Sequence, residues 1–176
     1  VGLSVVKTME HLGFSDLKLK WPNDILFGDR KLSGVLIEIR GDILGDAELV
    51  VGLGVNYRVN NPDGLMSDIA APWIDLNSIA LLQSIELPDR NQLIAALTSN
   101  LLTLLKEFPS KTFSYYLRDW ERRSAYLNQA VVIQGPRERV EGVFLGLSDA
   151  GSIRIACADG EKILHTGDLS LRALEC

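Results

Sequence analysis

Apolar side chains at Val1, Leu3, Val5, Val6, Met9 and Leu12 recur at helical steps and outline one broad buried face. Gly13 is placed to stop that helix. Alternation then takes over: Leu17, Leu19 and Trp21 share one face, Lys18 and Lys20 the other. Pro22 has no amide hydrogen to give a ladder, so this strand is expected to end there, with Asn23 and Asp24 as turn formers. Ile25-Leu26-Phe27 resumes the β pattern and Gly28-Asp29-Arg30 supplies a hairpin turn. The returning strand, 31–40, sets Val35, Ile37 and Ile39 against Leu36, Glu38 and Arg40. Loop signals follow at Gly41-Asp42 and Gly45-Asp46. Residues 49–57 are apolar nearly throughout, the pattern of a central strand covered on both faces.

Residues 58–88 have little period beyond a turn at Asn60-Asn61-Pro62-Asp63-Gly64, a segment around Trp73 and a short apolar patch at 79–82. Asp89 is a good N-cap for a long helix whose stripe is Leu93, Leu97, Leu101, Leu104, Leu105 and Phe108, ended by Pro109. A second helix over 112–122 turns Phe113, Tyr116, Leu117 and Trp120 inward. The texture then changes to five short β-like runs at 130–134, 140–147, 152–158, 161–166 and 169–171. Turns at Gly135-Pro136, Asp149-Ala150-Gly151, Asp159-Gly160 and Gly167-Asp168 separate them, a spacing that suggests a small barrel. The expected boundary divides 1–124 from 125–176.

With 176 residues, 47% hydrophobic and 23% charged, the chain can build an ordinary core. Its net charge of −5 argues against a nucleic-acid surface. The basic groups at Arg118, Arg122-Arg123 and Arg137, Arg139 alternate with acids and look like solvated faces. Cys157 and Cys176 have neither a disulfide framework nor metal-ligand spacing, which points to a reducing compartment, the cytoplasm. No apolar run approaches the roughly 20 residues of a membrane span, and no secretory leader is visible. The chain opens on Val1 inside a helical pattern, so a natural N-terminal portion is expected upstream.

Candidate chemistry centres on Lys20, an amine at a strand end just before a forced turn. By spacing alone it is either a solvated strand lysine or a cation held ready for an anionic group. Gly52-x-Gly54-x-Asn56 interrupts an apolar strand, either to admit an aromatic across the sheet or to let a ligand reach bare backbone. Asn56 offers an amide that can both donate and accept. Gly34 could lie alongside those glycines and complete a trough, or it could mark a bulge. His11 and His165 have no second ligand at metal spacing and are read as structural, and no metal site is expected. Asp119 and Glu121 flank Trp120 and are read as solvated. Nucleophile-elbow, phosphate-loop and dinucleotide fingerprints are all missing from the sequence.

Lys20-Trp21-Pro22-Asn23-Asp24, Lys31-Leu32-Ser33-Gly34-Val35-Leu36-Ile37-Glu38 and Val51-Gly52-Leu53-Gly54-Val55-Asn56, in this order and spacing, resemble the biotin protein ligase (biotin–[acetyl-CoA-carboxylase] ligase) family. The likeness continues through the tandem helices to Gly167-Asp168-Leu169-Ser170-Leu171-Arg172. It implies an α+β fold: a mixed sheet with helices, like the catalytic domain of class II synthetases and lipoate ligases, truncated here, followed by a small SH3-like β-barrel. It also implies an enzyme that activates biotin with ATP and Mg²⁺ as biotinyl-AMP, then transfers it to a lysine of a biotin carboxyl carrier domain of acetyl-CoA carboxylase. Lys20 matches the catalytic lysine; Gly34, Gly52 and Gly54 match glycines beside biotin and the adenylate; Asn56 matches a polar residue near the adenine. The family's Gly-Arg-Gly-Arg-Arg-Gly loop does not occur here, so the resemblance is to the C-terminal portion of a ligase. A homodimer is an expectation of the same resemblance, and nucleic acid a partner only if a helix-turn-helix precedes Val1.

Two other readings stand beside it. One is a protein ligase for lipoate or another acyl-adenylate. The other is a non-catalytic fragment whose sheet and barrel dock a partner.

Overall fold

The computed structural model describes residues 1–41, 47–59, 72–135, 139–165 and 169–174. The turns expected at 42–46, at 60–64, after Gly135 and at 167–168 lie outside the described residues, as does Cys176.

Helix α1 (Gly2–His11) buries Leu3, Val5, Val6 and Met9, and Gly13 follows its Leu12 cap at φ 97°. Strands β1 (Leu17–Lys20), β2 (Asp24–Phe27), β3 (Arg30–Gly41) and β4 (Ala47–Val55) form a four-stranded sheet in chain order. Every ladder in it is antiparallel, and its parallel contacts are two isolated bridges, Leu19 with Ser124 and Lys31 with Trp73. The β2–β3 hairpin closes at Phe27 opposite Arg30, with Gly28 at φ 58° in the turn. Leu17, Leu19, Ile25 and Leu32 pack on α1 to form the first core, joined by Ile74, Leu76 and Ile79.

Three elements depart from the pattern along the chain. β4 reads as a central strand but is the sheet's last described strand, with Leu49 46% exposed. The outer part of β3 is likewise open on both faces, Leu36 and Ile37 included, so alternation there fixes direction but not burial. The patch at 79–82 is helix α2 (Leu76–Gln83), started by Asp75, whose carboxylate accepts from the Ser78 amide. The short apolar run hid this helix.

Helix α3 (Arg90–Glu107) begins in a capping box, Asp89 with Gln92. It buries Leu93 and leaves the far end of its stripe, Leu105 and Phe108, exposed. Helix α4 (Phe113–Arg122) is contacted from both sides: Tyr116 and Trp120 pack on the first core, Phe113, Leu117 and Trp120 on the second.

Strands β5 (Ala130–Gln134), β6 (Arg139–Leu147), β7 (Ile153–Cys157), β8 (Gly160–Leu164) and β9 (Ser170–Ala173) form a five-stranded antiparallel sheet ordered β8-β7-β6-β5-β9. This pairing is consistent with the small barrel expected. Its core is Val131, Ile133, Phe144, Ile153, Ile155 and Leu171, and Trp21, just after β1, is buried with them. Among the described residues no helix is long and apolar enough to cross a membrane.

Candidate functional site

Antiparallel register sets Lys20 opposite Asp24, Asp24 opposite Gly34 and Gly34 opposite Gly54. Cross-strand partners put their side chains on the same face, so this is one row running across all four strands. The preceding row, Leu19, Ile25, Ser33 and Val55, faces the core. Lys20 therefore points away from the apolar side while its neighbours anchor the sheet to α1. Its side chain is only 19% exposed, and Nζ donates to Asp24 Oδ2 at 3.2 Å.

Asp24 serves a second cation. Lys31 Nζ lies 2.5 Å from Asp24 Oδ1, an ion-pair contact without hydrogen-bond alignment. Two ammonium groups thus share one carboxylate, and the row keeps an excess of positive charge that suits a carboxylate or phosphate ligand.

Gly34 and Gly54 of the row, and Gly52 two residues before Gly54 on the same face, divide by what a side chain would meet. A β-carbon on Gly34 would stand 3.2 Å from Cε and Nζ of Lys31, so its absence leaves room for that arm to reach Asp24. On Gly52 the nearest atom would be Leu36 O at 3.5 Å, and on Gly54 only Gly34 O at 3.9 Å. None of the three has positive φ. The bulge falls between Ile25 and Leu26, at Leu32 of β3, and not at Gly34. The sheet therefore does not demand glycine at 52 or 54; both are bare exposed backbone.

Asn56 follows β4 and acts as a strut. Its Nδ2 donates to Lys31 O at 3.2 Å and Ile74 O at 3.1 Å, while its own amide donates to Leu32 O. The amide expected to donate and accept has its donors committed to the fold, which leaves Oδ1 as the atom free to serve a ligand. Asp75, next to this crossing, accepts from the Val59 amide at 2.7 Å. Burial pushes its carboxyl up, but hydrogen bonds from Ser78 and Val59 outweigh this and hold it below its ordinary value.

A cleft of about 640 Å³ opens beside Lys20 and Asp24, walled opposite by Leu104, Phe108 and Tyr116. Gly34, Gly52, Gly54 and Asn56 do not line it. The sheet row, not the cleft, brings Lys20 and the glycines together. Among the described residues no group of three His, Cys, Asp or Glu side chains could hold a metal ion. His165 Nδ1 instead pairs with Ser152 Oγ at 2.8 Å, where β7 begins and β8 ends.

Sequence reasoning missed two functional candidates, Asp24 as the shared counter-ion and Lys31 as the second cation. The bulge that swings Lys31 toward Asp24 leaves no mark in the residue pattern. It also misread three groups as solvated: Asp119, Glu121 and Arg123. Asp119 binds Lys7, Arg122 and Arg123, and Glu121 accepts from the Leu147 amide at 3.3 Å. Arg123, 15% exposed, bridges Asp119 to Glu10 of α1. The hydrogen bond from Lys7 is the main reason the Asp119 carboxyl lies below its ordinary value; that from Arg123 does the same for Glu10.

Two family descriptions match the chain: the Biotin/lipoate A/B protein ligase family over residues 1–56, and the Biotin protein ligase C terminal domain over residues 126–172. The Bifunctional ligase/repressor BirA of Escherichia coli (strain K12) is 31% identical over 99% of this chain and 52% of that protein. A Biotin–[acetyl-CoA-carboxylase] ligase of Paracoccus denitrificans is 22% identical over 87% of this chain and 62% of that protein. The solved biotin protein ligase of Aquifex aeolicus in complex with biotin and ATP superposes with a TM-score of 0.81 at 29% identity, covering 98% of this chain and 69% of that one. The chain spans about half the length of the curated BirA relatives it matches.

Proposed function

This chain belongs to the biotin protein ligase family, and from that premise we propose that the protein activates biotin with ATP and passes it to a lysine of a biotin carboxyl carrier domain. The observation that carries the reading is the row Lys20, Asp24, Gly34 and Gly54, a cation beside bare backbone on one sheet face. The solved relative that holds biotin and ATP superposes on 98% of this chain, over 69% of its own length.

In the first step a biotin carboxylate oxygen bonds to the α-phosphorus of ATP, the bond from that phosphorus to the bridging oxygen breaks, and pyrophosphate leaves. Negative charge on the phosphoryl oxygens rises along this path. A fixed ammonium at Lys20 counters it most where the charge is greatest. Asp24 holds that ammonium in place without removing the row's positive excess. Gly52 and Gly54 admit a flat ligand against the backbone, and Asn56 Oδ1 accepts from the exocyclic amine of adenine. In the second step the acceptor lysine's neutral amine bonds to the activated carbonyl carbon, AMP leaves with the bridging oxygen, and the nitrogen gives a proton to solvent.

Mg²⁺ fits this site only through the nucleotide. Asp24 is the row's single carboxylate and is committed to two lysines, so the ion would be carried by the phosphates. In this reading residues 1–124 supply the catalytic portion and 125–176 the C-terminal unit.

The test is ATP-dependent labelling of a biotin carboxyl carrier domain by the complete protein, with biotin and lipoate in parallel. Labelling by biotin alone supports the proposal. Labelling by lipoate alone, or by neither, overturns it.

A further inference from the structure

We propose that the C-terminal unit holds Lys20 in position and that Trp21 is the positioning residue through which it does so. The inference rests on the assignment of Lys20 above. Both chain neighbours of Lys20 are gripped by groups that follow α4. On one side Leu19 O accepts from the amide of Ala125, the first residue of the C-terminal unit, at 2.9 Å, and the Leu19 amide donates to O of Arg123, in the segment that leads into that unit, at 2.7 Å. On the other, Trp21 leaves the core that Leu17 and Leu19 occupy and is buried, 2% exposed, with Val131, Ile133 and Phe144. Its indole Nε1 donates to Gly151 O at 3.2 Å.

β1 stops at Lys20, where a strand pairing on one side only would fray. β1 instead has β2 on one edge and residues 123–125 on the other, with an aromatic anchor immediately after the lysine. The anchor belongs to a different core from the strand it ends. Any shift of the C-terminal sheet therefore moves the backbone that carries the Lys20 ammonium. Displacement of a reacting group by about 1 Å costs on the order of a hundredfold in rate; loss of one anchor bond with an aromatic ring still in the core is expected to cost part of that.

The experiment measures biotinyl-adenylate formation by pyrophosphate exchange in the complete protein, comparing Trp21→Phe, Lys20→Ala and the double variant. Phenylalanine keeps an aromatic ring in the core, though a smaller one than the indole, and removes the N–H given to Gly151 O. Trp21→Phe is expected to lower kcat by about five- to tenfold, with KM for biotin near the parent value and a melting temperature lowered by a few degrees but well above the assay temperature. In the Lys20→Ala background it should cause no further loss. Ala125→Pro, which removes the N–H accepted by Leu19 O, should give the same kcat-only loss. Equal losses in both backgrounds, or no loss with Lys20 present, overturn the inference and leave Lys20 standing. A near-parental rate in Lys20→Ala alone overturns both.

Discussion

The arm of Lys31 lies across Gly34, its Cε and Nζ each 3.2 Å from where a β-carbon would be. The glycine makes room for a protein side chain, and the lysine it admits reaches the carboxylate that also holds Lys20. Gly54, opposite Gly34 on the next strand, has no such neighbour. The two glycines share a row but serve different purposes.

Gly54→Ala is therefore expected to fold normally, since its β-carbon would meet nothing nearer than 3.9 Å. A strand alanine is favoured over glycine by about 0.5–1 kcal/mol, so the melting temperature should hold or rise. Affinity for biotinyl-adenylate should fall by about tenfold as the methyl fills the bare backbone. Calorimetric titration checks the affinity, and unchanged binding would remove Gly54 from the site.

Gly142→Ala is the opposite case. Its β-carbon would run into the carbonyl oxygen of Ala156 on the neighbouring strand, and backbone cannot swing aside. The expected loss of stability is about 1–3 kcal/mol, read from chemical denaturation.

The acidic links between α1 and α4 set a pH dependence. Asp119 and Glu10 both lie below their ordinary values in the folded chain, held there first by hydrogen bonds from Lys7 and Arg123. A lowered carboxyl stabilises the fold above its unfolded value, and that stabilisation disappears as pH falls through the folded value. Asp119→Asn should thus melt below the parent near neutral pH, with the gap closing as pH drops below about 4. Thermal melts across that range check the sign; a gap that widens in acid would contradict it.

Much of this was legible along the chain because local rules and tertiary packing agree. Leu17, Leu19 and Trp21 alternate and are all buried; Asp89 caps α3; the five short β runs match β5–β9. What stayed hidden depends on partners distant in sequence. Alternation puts Trp21 on a face with Leu19 but cannot say that it enters a different core. A nearly all-apolar strand such as β4 announces its two faces without saying what covers them. Lys31 opens a family-like motif, yet its approach to Asp24 depends on a bulge at Leu32 that no residue type signals. Asn56 was visible as an amide at a strand end, but the commitment of its donors to Lys31 O and Ile74 O needed the fold.

Lys20→Ala in the complete protein, assayed by ATP-dependent biotin labelling of a carboxyl carrier domain alongside a thermal melt, bears most directly on the central assignment. A parental melting temperature with labelling reduced on the order of a hundredfold or more is the predicted result. Labelling within a fewfold of the parent, at the same melting temperature, would show that the ammonium beside Asp24 is not what drives the chemistry.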